Sequence, residues 1–490
     1  MCKKVGDSSA SRLCSRLARA IACYQEALRI WTPETAPHEY ATTQNSLGTT
    51  YTELLAGDQE ENLARAIACF QEAIRFQTSE TAPREYAITQ NGLGTAYTKL
   101  RTGDRGANLA RAIACFQQAL RIFTPETAPR EYALTKTNLG AAYRDLPTGD
   151  QRQNLTRAIT CFREALLVWT PETAPRECRS INHTLADLYF KQQDWDSALA
   201  AYRAAMGAAE QLYRTGLSPE SKRTEVAENA FLYGDAALAA THLGNPAEAL
   251  LILERGKTRL LAEALHLRVP RPAGIPDAAW TAFEWAGTAV RLAQSGFIAM
   301  LPSEEHNPIQ TYAAREQAAR AANTALDAAV AGIREYAPDY LKEIDLPAMQ
   351  ALLSDDHTAL VAFCVTLKGS MGFMLSRDHD QAVRMVNLPA FTYADLRRLF
   401  VDSDTNNNLI GGWMVDYIRY VNEKNQPAFD TWLASIEHTL VELGQCLLAP
   451  ILAALPPSIE RLIFLPSGQL FLLPLHAVPL SDDNSDRVCD

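Results

Sequence analysis

Two stretches of the 490-residue chain carry residue types that do chemistry elsewhere. "LERGKTRLL" (residues 253–261) contains Gly256-Lys257-Thr258, the end of a phosphate-binding loop whose backbone N–H groups cradle phosphates. That loop also needs a glycine five residues before Gly256, where Leu251 stands, and it follows a strand, whereas this stretch reads as helix. Nucleotide binding is therefore not expected. "HEYAT" at His38 has one histidine of a zinc-protease helix but lacks the second. None of the ten cysteines and nine histidines cluster at metal-ligand spacing, so neither a metal nor a cofactor is expected. Cys23, Cys69, Cys115 and Cys161 recur at one position of apolar helical segments, where cysteine serves as a small buried hydrophobe. This points to reduced thiols and a cytoplasmic protein.

Composition narrows the classes further. A net charge of −11 and a pI near 5.4 argue against direct nucleic-acid binding, which needs a basic face. No apolar run reads as a membrane span, and the N-terminus lacks the long apolar stretch of a signal peptide. At this length two or three domains are expected.

The elements that would position any site come from an internal repeat. "LARAIACY" at Leu17, "LARAIACF" at Leu63 and Leu109, and "LTRAITCF" at Leu155 are copies spaced by 46 residues. "TAPHEY", "TAPREY", "TAPREY" and "TAPREC", from Thr35, Thr81, Thr127 and Thr173, keep the same spacing. So do Leu47-Gly48 with Tyr51, Leu93-Gly94 with Tyr97, Leu139-Gly140 with Tyr143, and Leu185-Ala186 with Tyr189. Each unit predicts two amphipathic helices. Helix A gathers Tyr40, Leu47, Gly48 and Tyr51 on one face. Helix B carries Leu63, Ile67, Phe70 and Ile74, with Ala66 and Ala73 permitting close approach. Gly57-Asp58, Gly103-Asp104 and Gly149-Asp150 break the chain within units. Pro33, Pro125 and Pro171, with Ser79 as the exception, end helix B.

These residues resemble the tetratricopeptide repeat, TPR, with a lengthened period. The likeness extends to Ala198, Tyr202 and Ala205 and to Ala249, Leu253 and Gly256, giving a leading helix B and about five helix pairs over residues 1–267. The first copy starts in mid-unit. By this resemblance the fold is a mostly α solenoid whose A helices line a concave groove for a protein or peptide. Asn45, Asn91, Thr137 and His183 would point into it, with Thr49, Thr95, Ala141 and Asp187 one turn on. An asparagine ladder can hydrogen-bond the backbone of an extended peptide.

"VPRPAGIP" (residues 269–276) marks a break. A helical hairpin is expected over 268–340, in two alanine-rich helices around "LPSEEHNPIQ". Residues 341–490 read as α/β: the strands "TALVAFCVT", "GSMGFMLSRD" and "AVRMVNLPA", helical segments near 393–400 and 429–455, then "RLIFLPSGQLFLLPL" from Arg461. Its Leu462, Ile463, Phe464 and Leu465 form the unbroken run of a strand covered on both faces.

The succession of repeats, "LERGKTRLLAEAL", helical pair, three-strand meander, long helix and "ERLIFLPSGQLFLLPLHAVPL" resembles a TPR protein bearing a CHAT domain, a caspase-like module related to separase. The resemblance implies a cysteine peptidase with a histidine in an Ala-x-His-Gly motif and a cysteine in a Ser-Ala-Cys motif, both after "LPLHAVPL". No histidine here precedes a glycine and no cysteine has that context, so no catalytic residue is expected. His476 and Cys489 are a poor substitute, because Asp486 and Asp490 disfavour a thiolate at Cys489. The expectation is a binding and regulatory scaffold with an incomplete caspase-like module. The alternative is the N-terminal portion of a CHAT-family endopeptidase, with a second chain or a later segment completing the sheet. Under either reading the 462–465 strand should lack a lateral partner, and the sequence reads as a fragment.

Overall fold

The computed structural model describes residues 3–215, 219–229, 231–257, 271–295, 308–341, 345–377, 382–403, 409–473 and 475–478. The chain divides into two compact units, Met1–Leu188 and Tyr189–Asp490.

The first unit is an α-solenoid of consecutive helix pairs. A leading helix α1 (Lys3–Ile30) is followed by the pairs α2 (Pro37–Glu53) and α3 (Gln59–Phe76), α4 (Pro83–Lys99) and α5 (Arg105–Ala119), and α6 (Pro129–Asp145) and α7 (Gln151–Leu166). Helix α8 (Pro175–Lys191) begins here and contains the division. Each of α2, α4 and α6 opens on a proline, which fits a first turn whose N–H groups have no helical acceptor. Before each B helix stands a glycine in the left-handed region, at φ +80° for Gly57, +76° for Gly103 and +83° for Gly149. The aspartate that follows caps the helix: Asp58, Asp104 and Asp150 each accept two backbone N–H groups.

The connector after each B helix owes less to proline than the sequence implied. Thr32 and Thr35 join through their hydroxyls at 3.0 Å, as do Thr78 and Thr81 at 3.0 Å, Thr124 and Thr127 at 3.1 Å, and Thr170 and Thr173 at 3.2 Å. The turn containing Ser79 keeps this bond, so the threonine pair sets it and proline only stiffens it. Within a pair, Leu63, Ala66, Phe70 and Ala73 are buried. The phenylalanine rings press on helix A glycines, Phe70 on Gly48, Phe116 on Gly94 and Phe162 on Gly140. The cysteine column is less uniform than expected. Cys161 is buried and Cys69 and Cys115 are half-buried, but Cys23 is exposed. Helices α3 and α5 each lie between two A helices, whereas α1 packs on α2.

The second unit opens with α9 (Trp195–Thr215), α10 (Pro219–Glu228), and the pair α11 (Leu232–His242) and α12 (Pro246–Lys257). The expected helical hairpin is α13 (Asp277–Ser295) and α14 (Pro308–Arg334), closed around Phe283, Ile333 and Tyr340. Arg214 at the end of α9 ties to this hairpin through Asp327 and by accepting from Asn323 at 2.8 Å.

After the short α15 (Leu346–Ala351) come β1 (Thr358–Val365), β2 (Ser370–Leu375) and β3 (Val383–Asn387), an antiparallel meander. Then follow α16 (Tyr393–Phe400), the small hairpin β4 (Asp402–Ser403) and β5 (Leu409–Gly411), α17 (Trp413–Glu423), α18 (Gln426–Leu443) and β6 (Arg461–Leu465). The four-stranded sheet has the order β3-β2-β1-β6, with β6 parallel to β1. Its core joins Val361, Phe363, Leu396, Leu443, Leu447 and Ile451.

Three expectations need correction in this unit. Strand β6 is not covered on both faces: it lies at the sheet edge, pairs with β1 among the described residues, and leaves Ile463 42% exposed. The following "QLFLLPL" winds into 3-10 turns that bury Leu470, Leu473 and Leu475. Helix α17 was not expected, and the helical stretch Gln426–Ala453 is long and apolar enough to cross a membrane by length and composition. Here that stretch buries Leu443, Leu447, Leu448 and Ile451 in the core of the sheet.

Candidate protein-interaction face

Successive A helices of the first unit approach one another, α2 to α4 and α4 to α6, more closely than successive B helices do. The A helices therefore lie on the inner side of the repeat stack, and the side chains that helix B leaves uncovered form its inner strip. The structure places Asn45, Asn91 and Thr137 at equivalent half-buried positions there, with exposed Thr49 and half-buried Thr95 and Ala141 one turn on.

Their hydrogen bonds show what remains available. Thr49, Thr95 and Thr137 donate to the carbonyls of Asn45 (3.0 Å), Asn91 (2.9 Å) and Ala133 (2.9 Å) in their own helices. Their hydroxyls are spent as donors but retain acceptor capacity. Asn91 is joined to the next repeat, because Asn138 Nδ2 donates to its Oδ1 at 3.3 Å and reaches Thr95 Oγ1 at 3.5 Å. Asn45 differs: its Oδ1 is shielded and has no hydrogen-bond partner. In the fourth copy His183 Nε2 stands 3.8 Å from Asp187 Oδ1, a charged pair when the histidine is protonated.

Sequence reasoning missed three members of this strip. Asn138 occupies the position of Ser46 and Gly92, and only its longer side chain bridges two repeats. Ile88 and Leu134 lie one turn before Asn91 and Thr137, where the first copy has Thr42. They are 39% and 43% exposed. Two apolar side chains at one repeat position, left uncovered beside polar ones, give the strip an apolar edge. The signal was present, since both fall off the apolar stripe of helix A.

The outer side has its own repeated constellation. Gln25, Gln71 and Gln117 donate to the hydroxyls of Tyr51, Tyr97 and Tyr143 at 3.4, 3.2 and 3.1 Å. Arg65, Arg111 and Arg157 lie over the same rings at 5.9, 5.8 and 5.6 Å. The glutamines join each B helix to the next A helix and the arginines join that A helix to its own B helix, which is a structural use of the residues.

Nucleophilic chemistry finds little support among the described thiols. Burial pushes Cys69, Cys115 and Cys161 up to about 11, so they stay protonated at neutral pH. Burial likewise raises Cys178 and Cys446. Gly256 and Lys257 lie in α12, a helix and not a phosphate loop. Thr258, Cys489 and the side chain of His476 lie outside the described residues.

No family model matches the chain, and no curated protein matches it. Among solved structures it is similar to the crystal structure of MamA protein, at 16% identity over 48% of this chain and 99% of that chain, with a TM-score of 0.32.

Proposed function

We propose that this chain is a protein-interaction scaffold, in which the inner strip of the TPR-type helices receives an extended segment of a partner protein. The observation that carries this reading is the strip itself, where half-buried Asn45 and the Asn91–Asn138 bridge run beside the uncovered Ile88 and Leu134. Acceptors and amide donors at a regular spacing suit a peptide backbone, and the apolar edge suits one or two of its side chains. In this reading residues 1–267 bind, 268–340 connect, and 341–490 belong to a caspase-like module of CHAT type that serves regulation, in the cytoplasm.

The test is partner capture by the wild-type chain and by variants. Ile88→Ser with Leu134→Ser, and separately Asn45→Ala with Asn91→Ala, should weaken capture about tenfold or more, while Arg111→Ala on the outer side leaves it unchanged. Equal capture by all variants would remove the inner strip as the site.

A second reading, the N-terminal portion of a CHAT-family cysteine endopeptidase, draws on the position of β6 at the sheet edge, where a further strand could add. Thiol-dependent cleavage on mixing with a separately produced His- and Cys-bearing segment would favour it. No cleavage by a well-folded mixture would sink it.

A further inference from the structure

Helix α11 is the A helix of the last pair, and its inner strip can be located by register. Asp194 and Asn245 stand at the starts of the B helices α9 and α12, and His183 lies eleven residues before Asp194. Counting the same distance back from Asn245 gives Gly234. Asp235 then takes the place of Thr184, and Leu238 that of Asp187. These three residues are covered within the second unit by one segment, the turn between β1 and β2.

The contacts are specific. Cys364 Sγ donates to the Gly234 carbonyl at 3.4 Å. A Cβ at Gly234 would stand 2.6 Å from Thr366 Cγ2, so only glycine admits the strand this close. Leu238 Cδ1 lies against Gly369. At the tip of the turn, Lys368 pairs with Asp235, donates to the Tyr202 hydroxyl at 2.9 Å, and lies over the rings of Phe190 and Tyr202, each at 5.4 Å. The lysine side chain is 18% exposed and the aspartate 6%. The turn is also held by bonds of its own: Thr366 N donates to the Gly369 carbonyl at 3.0 Å and Lys368 N to Thr366 Oγ1 at 3.0 Å.

A carboxylate, a phenol hydroxyl and two aromatic faces around one ammonium make a lysine-recognition site. We propose that the β1–β2 turn, with Lys368 at its tip, is an intramolecular ligand of the inner strip of α11. It closes the last helix pair to outside partners and makes that pair and the sheet open as one unit. A buried ion pair couples its two elements strongly, since removing one partner strands the other charge away from water. This inference stands apart from the binding role of the first unit: its failure would leave the Ile88–Leu134 strip untouched, and the converse holds.

Hydrogen exchange on the full chain tests it, with Lys368→Met, Asp235→Asn, the double variant, and Tyr202→Phe. Each single charge variant should speed exchange about tenfold or more in both α11 and β1–β2, by a common factor. The double variant should be no faster than either single, because neither charge is then stranded. Tyr202→Phe, which removes one hydrogen bond and keeps the fold, should shift both segments together by about two- to tenfold. Acceleration confined to the turn with α11 unchanged, or a double variant whose effect is the product of the singles, would overturn the proposal.

Discussion

A Cβ added to Gly94 would stand 2.6 Å from Cε1 of Phe116, a ring with no exposed surface. Helix A of each exact copy thus yields one residue's side chain to let a helix B aromatic reach its backbone. Gly94→Ala gains roughly 1 kcal/mol of helix propensity, but it forces a fully packed ring to move at about 1–3 kcal/mol. The packing term should win, with a net loss of about 1 kcal/mol in urea unfolding. Gly207, whose Cβ would meet nothing within 4 Å, is the control: Gly207→Ala should be neutral or stabilising.

Ser79 stands where three other copies carry proline, in a connector held by the same threonine pair. Ser79→Pro should stabilise the chain by about 0.4–1 kcal/mol, by restricting the unfolded chain without costing a native contact. Thermal unfolding of the variant checks this. Thr78→Ala, which removes the acceptor of the Glu80 and Thr81 N–H groups, should act in the opposite direction.

The cysteine column should divide by accessibility. At pH 8 a thiol of pKa about 11 is on the order of 0.1% thiolate, so Cys69, Cys115 and Cys161 should resist iodoacetamide in the folded chain. Exposed Cys23 should alkylate first. Peptide mapping of the labelled protein reads the order directly.

His357 gives a pH dependence with a definite sign. Its Nδ1 donates to the Ser458 carbonyl at 2.8 Å, linking the starts of β1 and β6. That bond, then the nearby Glu460, Asp355 and Asp356, raise its pKa above the ordinary histidine value. The stability it contributes is fully present below the unfolded-state value near 6.5 and is lost as pH rises through the raised folded-state value. Wild-type stability should fall over that window relative to His357→Ala, as read by denaturation at a series of pH values. A group this exposed should produce a small effect.

The first unit was largely legible because each repeat states its local rules in one place. Gly57-Asp58 marks the left-handed residue and the cap, and Leu47-Gly48 with Tyr51 marks the packed face. The Asn45–Asn91–Thr137 positions followed from the same register. What the sequence hid depends on contacts between distant segments. Asn138 reads as one more polar residue until its amide is seen to reach Asn91. Lys368 reads as an ordinary turn lysine until α11 and α9 surround it. Strand β6 has the apolar run of a strand covered on both faces, and although its want of a second lateral partner was expected, the exposure of Ile463 on one face was not. Helix α17 escaped notice because its exposed Tyr417, Ile418 and Val421 blur the apolar periodicity that would announce it.

The most direct test of the scaffold reading is site-specific photo-crosslinking in cells, with a benzophenone amino acid placed at Ile88, Leu134 or Arg111. The account predicts one common partner adduct at positions 88 and 134, lost when Asn45 and Asn91 are alanine, and no such adduct at 111. Adducts at 111 alone, or none at 88 and 134, would contradict it.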